Sequence, residues 1–187
     1  QALRNGHVEV LINIWENDSY SRYRREKSIW NLYLLAQLPR EMALTFWLRI
    51  NEKKHLFAGE DYFLSILGLD TLPGLLLAFS HHPKETFPLI LNFGATELAL
   101  PVARVWRRFA AQRDLARQWI LQWPEHTATA LIPLVFTKPS DNSEAALLAL
   151  RLLYEQGHGE LLQTVANRWQ RTDVWPALEQ LLKQSPI

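Results

Sequence analysis

The chain has 187 residues, 48% of them hydrophobic, with 20 lysines and arginines against 19 acidic residues. That length and apolar content suit a substantial buried core and argue against intrinsic disorder, and the near-neutral balance excludes a global field that would draw the chain onto nucleic acid or anionic membrane. With no cysteine, disulfides and thiolate metal sites are excluded; packing must hold the fold, and the absence fits a reducing compartment.

Helices are expected near residues 7–16, 22–37, 40–50, 60–68, 72–80, 84–92, 96–110, 112–122, 125–136, 143–156, 159–169 and 174–184, from apolar residues that recur at a 3.6-residue period. The first is the one ambiguous segment. Val8, Val10, Ile12 and Ile14 alternate like a strand, while Val8, Leu11, Ile12 and Trp15 fit a helix face; helix is preferred because no partner strand is apparent elsewhere. The most apolar run, Leu64 to Phe79, is broken by Asp70 and Pro73, so no membrane helix is expected. Most prolines fall where a helix would begin, as in Thr71-Leu72-Pro73, His82-Pro83 and Trp123-Pro124-Glu125. The opening Gln1-Ala2-Leu3-Arg4 carries neither a start methionine nor a signal peptide, and the chain reads as a piece of a longer protein.

Three proline-led segments align: Leu38-Pro39-Arg40-Glu41, His82-Pro83-Lys84-Glu85 and Trp123-Pro124-Glu125-His126. Their prolines are 44 and 41 residues apart, and each segment is followed by a further amphipathic helix, near Glu60, Thr96 and Ser143. Such a period belongs to helical-pair repeats. A pair cannot bury its apolar face alone, so stacked pairs make one continuous core. The expected fold is therefore all-α over residues 1–187, a single helical-repeat domain of stacked antiparallel helix pairs forming a HEAT-like α-solenoid or right-handed superhelix.

From about Ala95 onward, the runs Ala116-Arg117-Gln118-Trp119, Trp123-Pro124-Glu125, Ala130-Leu131-Ile132-Pro133-Leu134 and Ala149-Leu150-Arg151-Leu152-Leu153, closing on Gly157-His158, carry a resemblance. In these runs the chain resembles the α-helical region of the large bacterial MolR-like proteins, molybdate metabolism regulators that often carry a WGR domain. The resemblance implies a cytoplasmic bacterial protein with a regulatory role and brings no catalytic residues. Nothing in the chain resembles a WGR module.

No phosphate-binding glycine loop, Gly-x-Ser-x-Gly elbow or His-Glu-x-x-His helix occurs. Adjacent residues on a helix diverge by about 100°, so His81-His82 suits a helix end better than a metal. Gly157-His158-Gly159-Glu160 reads as a turn with Gly157 left-handed past a helix end, and Glu60-Asp61 after Gly59 as a helix start. No catalytic, cofactor or metal residue is assigned, and a non-enzyme is expected.

Two basic clusters remain. Arg22, Arg24 and Arg25 form one; Arg104, Arg107 and Arg108 form the other, sharing one helix face as phosphate contacts require. Arg113 and Arg117 would rotate away from that face if the helix continued, so no long basic stripe results. Eight tryptophans are the unusual feature, and Trp106, Trp119 and Trp123 are the candidate interface or seam aromatics. Trp119 and Trp123 lie one turn apart and are expected at a seam, against Leu131 or Ile132 and residues around Val105. The favoured reading is an interaction or scaffold domain of a regulatory protein with a protein partner and no membrane; the alternative is a nucleic-acid-binding α-solenoid.

Overall fold

The structure is a computed structural model in which residues 9, 10, 13, 32–52 and 59–184 are described. The described residues are overwhelmingly helical and contain no strand, so the chain is all-α. Most of the segment 7–16, and the whole cluster Arg22, Arg24 and Arg25, lie outside the described residues. Backbone contacts gather the chain into two compact units, Gln1–Leu89 and Ile90–Ile187.

In unit 1, α1 is Leu32–Leu35, α2 Arg40–Glu52, α3 Glu60–Leu67 and α4 Leu72–His81, with a 3-10 turn at Gly68–Thr71 between the last two; α5, Pro83–Ile90, runs to the boundary. Gly59, at φ 88°, opens α3, and Glu60 and Asp61 fill its first turn, where the positive end of the helix dipole favours carboxylates. The proline-led alignment pairs α2 with α3. In the structure α2 packs instead on α4, and the reason is Gly74: its missing side chain leaves room for the Trp47 indole, which a Cβ there would overlap. The Trp47 Nε1–H donates to the Thr71 carbonyl at 2.9 Å, and Phe63 covers the ring with centroids 5.0 Å apart.

The helical run Glu60–His81 is, by length and composition, apolar enough to cross a membrane, which the sequence reading did not allow. It is not one uniform helix. The 3-10 turn interrupts it, Phe63, Leu64, Leu67, Leu75 and Phe79 are buried in unit 1, and Arg40 binds its middle through Leu67 O (2.8 Å) and Asp70 Oδ2 (3.1 Å from Nε).

In unit 2, α6 is Thr96–Arg108, α7 Arg113–Gln122, α8 Pro124–Val135, α9 Asp141–Glu155, α10 Gly159–Asn167 and α11 Val174–Lys183. Here α8 packs most extensively on α9, α6 on α9, α7 and α8, and α10 on α8. Two boundaries show their local causes. Helix α9 starts two residues before the expected Ser143 because Ser140 and Ser143 form a reciprocal capping box. It ends where Gly157 takes φ 90° and the His158 amide reaches back to Leu153 O at 3.0 Å, a left-handed C-terminal cap. Pro88, Pro101 and Pro133 sit inside α5, α6 and α8, so prolines do more than punctuate this chain; each helix continues past one missing donor.

Candidate functional site

The second arginine cluster ends α6, where cations suit the negative end of the helix dipole. Arg107 and Arg108 are not bare. Arg107 donates to Asp141 at 2.9 Å and pairs with Glu144, and Arg108 pairs with Asp141, both acids lying in the first turn of α9. The Arg107 hydrogen bond and the Arg108 charge hold the Asp141 carboxyl below the usual carboxylate range. Arg104 is exposed. Helix α6 stops at Arg108, and a turn returns the chain so that Arg113 donates to Trp106 O at 3.2 Å with its guanidinium 5.9 Å from the Trp106 ring. Trp106 is about 200° around the helix from Arg104, so Arg113 joins the opposite flank and no continuous basic stripe forms.

The candidate tryptophans divide by burial. Trp119 is fully buried, and its Nε1–H donates to Phe93 O at 3.1 Å. Trp123 is half-buried, donates to Leu91 O at 3.0 Å, and lies so close to Gly94 that a Cβ there would sit 2.5 Å from the ring. Both indoles thus pin the connection that leads into α6. Beside them, His126 Nδ1 stands 3.4 Å from Thr96 Oγ1, placing the start of α8 next to the start of α6. The histidine doublet falls at a helix end: His81 closes α4, His82 follows it, and the rings meet edge-on with centroids 6.5 Å apart.

Between the last turn of α8 and the turn leading from α10 into α11 opens a cleft of about 410 Å³. Ile132, Pro133, Phe136, Trp169, Val174 and Ala177 form its apolar lining, and Arg171 and Asp173 add a polar part. Phe136 is 46% exposed and Trp169 37%, so two large aromatics face solvent beside an apolar hollow, an arrangement associated with binding sites. Arg171 grips Asp173 through Nε at 3.2 Å and Nη2 at 2.9 Å, and that hydrogen bonding, with a backbone amide, keeps the Asp173 carboxyl below its ordinary range. Gln170, between Trp169 and Arg171, has φ 51°, left-handed backbone that costs a residue bearing a Cβ. Both of its neighbours line the cleft.

Sequence reasoning did not single out Phe136, Trp169 or the cleft. The available signal was the turn-forming run Thr137-Lys138-Pro139-Ser140 directly after Phe136. Among the described residues no cluster of three or more histidines and acids with metal-binding geometry is present.

No family model matches the chain, and no solved structure matches it. The Uncharacterized protein YehI of Escherichia coli (strain K12) is 92% identical over all 187 residues, and the chain spans 16% of that protein's length.

Proposed function

We propose that the chain is a non-catalytic helical-repeat interaction domain that holds a protein partner at the cleft of unit 2. The observation that carries this reading is the cleft itself: an apolar hollow walled by Phe136 and Trp169, both exposed, beside arginines that are already answered by acids of the same chain. Neutralised arginines give little of the counterion release on which nucleic-acid affinity depends, whereas exposed aromatics next to a hollow are the usual anchors of protein interfaces.

A HEAT-like stack is part of the same proposal. Helices α6, α8 and α10 are neighbours in that order, and α7, α9 and α11 return alongside one another, the packing expected when successive pairs complete each other's core. The resemblance to MolR-like proteins supplies the regulatory, cytoplasmic setting; no residue described above ties the chain to molybdate.

The test is affinity capture of the long E. coli relative, intact and with the matching 187 residues removed. Loss of a specific protein on deletion is expected. Loss of co-purifying nucleic acid with the protein set unchanged would favour the nucleic-acid reading instead.

A further inference from the structure

We propose that the edge of unit 2 carrying Phe109, Phe136 and Trp169 is a docking strip for an amphipathic helix of a protein partner, with acidic residues between its apolar anchors. This rests on the protein-interaction reading and goes further by assigning the partner's shape and charge.

Each of the three aromatics follows the end of a helix. Phe109 comes directly after α6, Phe136 directly after α8, and Trp169 two residues after α10. All are exposed, at 49%, 46% and 37%, although aromatics of this size are normally drawn into cores. Two observations put them in a row. Arg107 and Arg108, on the last turn of α6, are held to Asp141 and Glu144 on the first turn of α9, so Phe109 lies on the same edge as the turn from Phe136 to Ser140. The cleft then brings Phe136 and Trp169 together.

The three helices that end on this edge pack in the order α6, α8, α10, and packed helices lie roughly 8–10 Å apart. An α-helix rises about 1.5 Å per residue, so side chains seven apart recur on one face about every 10.5 Å. An extended chain covers a similar distance in about three residues, but that odd step turns the side chain to the opposite face. The strip therefore matches a helix.

Charge assigns the rest. Along this edge Arg107, Arg108 and Arg171 are answered by Asp141, Glu144 and Asp173. Lys138, exposed in the Phe136–Ser140 turn, and Arg104 are paired with none of these acids. Two unanswered cations are too few for a polyanion and are complementary to carboxylates on the polar flank of a docked helix.

The experiment is selection of a displayed library of random 18-residue peptides on the full chain. Enriched peptides are then titrated by fluorescence anisotropy against the chain and its Phe109→Ala, Phe136→Ala, Trp169→Ala and Lys138→Glu variants, with thermal melts confirming that each variant folds. Enriched sequences should carry bulky apolar residues seven apart with Asp or Glu between them. Phe136→Ala and Trp169→Ala should each weaken binding by about tenfold or more, as anchors in a pocket do, and Phe109→Ala and Lys138→Glu by several-fold. Peptides with alternating, extended spacing, or binding indifferent to all four variants, would overturn the strip while leaving a protein-interaction role intact. No enriched peptide, together with tight binding of a 15-nucleotide single-stranded DNA that Trp169→Ala weakens, would overturn the strip and the protein-partner reading together.

Discussion

In unit 1 the Trp47 indole lies against Gly74 and donates to the carbonyl of Thr71, three residues before that glycine. In unit 2 the Trp123 indole lies against Gly94 and donates to the carbonyl of Leu91, again three residues before the glycine. The local device is the same: a glycine exposes backbone for the ring to pack on, and a nearby carbonyl satisfies the one polar atom the ring would otherwise bury. What differs is the other face of the indole. Phe63 covers Trp47, which is 2% exposed, whereas Trp123 is half-buried with His126 alongside, and a second indole, Trp119, takes the buried place and bonds Phe93 O. Among the described residues, unit 1 uses one tryptophan as both core and strap. Unit 2 divides the two tasks between a buried ring and a surface ring.

This difference sets the order of mutational effects. Trp119→Ala and Trp47→Ala should be the most damaging, each costing about 3–5 kcal/mol in denaturant unfolding, because each empties a fully enclosed aromatic site. Gly74→Ala should come next, at about 1–3 kcal/mol from overpacking, even though alanine within α4 is intrinsically better than glycine by about 1 kcal/mol. Gly94→Ala should cost less than Gly74→Ala, since the half-buried Trp123 can yield toward solvent; equal costs in the two units would break the comparison. Trp123→Phe keeps the ring contact but drops the bond to Leu91 O, and should cost about 1 kcal/mol.

The smallest effect belongs to the exposed ion pairs between α6 and α9. The Asp141 carboxyl titrates below its ordinary value in the folded chain, so its contribution is present at neutral pH and lost as pH falls through that lowered value. The stability difference between the native chain and Asp141→Asn should therefore close in the acid range below about pH 4 and shrink with added salt. A difference that persists unchanged at pH 2 would mean that Asp141 acts as a helix-start hydrogen-bond group and not as a charge.

Much of the helical layout was legible because it depends on local signals. The break at residues 68–71, the left-handed Gly157 and the start of α3 behind Gly59 all follow from glycine and from dipole-matched acids near their own helix ends. The pairing of α2 was not legible. A shared Pro-Glu motif marks helix starts, but which helix lies beside α2 is decided by Gly74, a single missing side chain far along the chain. The Trp119 and Trp123 spacing points to a seam, and Trp119 is buried, yet the described hydrogen bonds tie both rings to residues 91 and 93. Helical period identifies a face and says nothing about the loop that comes to meet it. The cleft was hidden for a related reason: the helices expected over 125–136 and 159–169 take in Phe136 and Trp169, whereas the structure ends α8 at Val135 and α10 at Asn167 and leaves both rings beyond the helix ends.

Unit 2 carries tryptophans of two kinds, Trp119 enclosed in the core and Trp169 at the surface, where the proposed partner would dock. Guanidinium unfolding of Trp169→Ala beside Trp119→Ala tests this most directly. Trp169→Ala should lose less than about 1.5 kcal/mol, the scale of partial burial of a side chain, while Trp119→Ala loses about 3–5 kcal/mol. If Trp169→Ala falls as far as Trp119→Ala, Trp169 is a core residue and the cleft is not a site kept open for a partner.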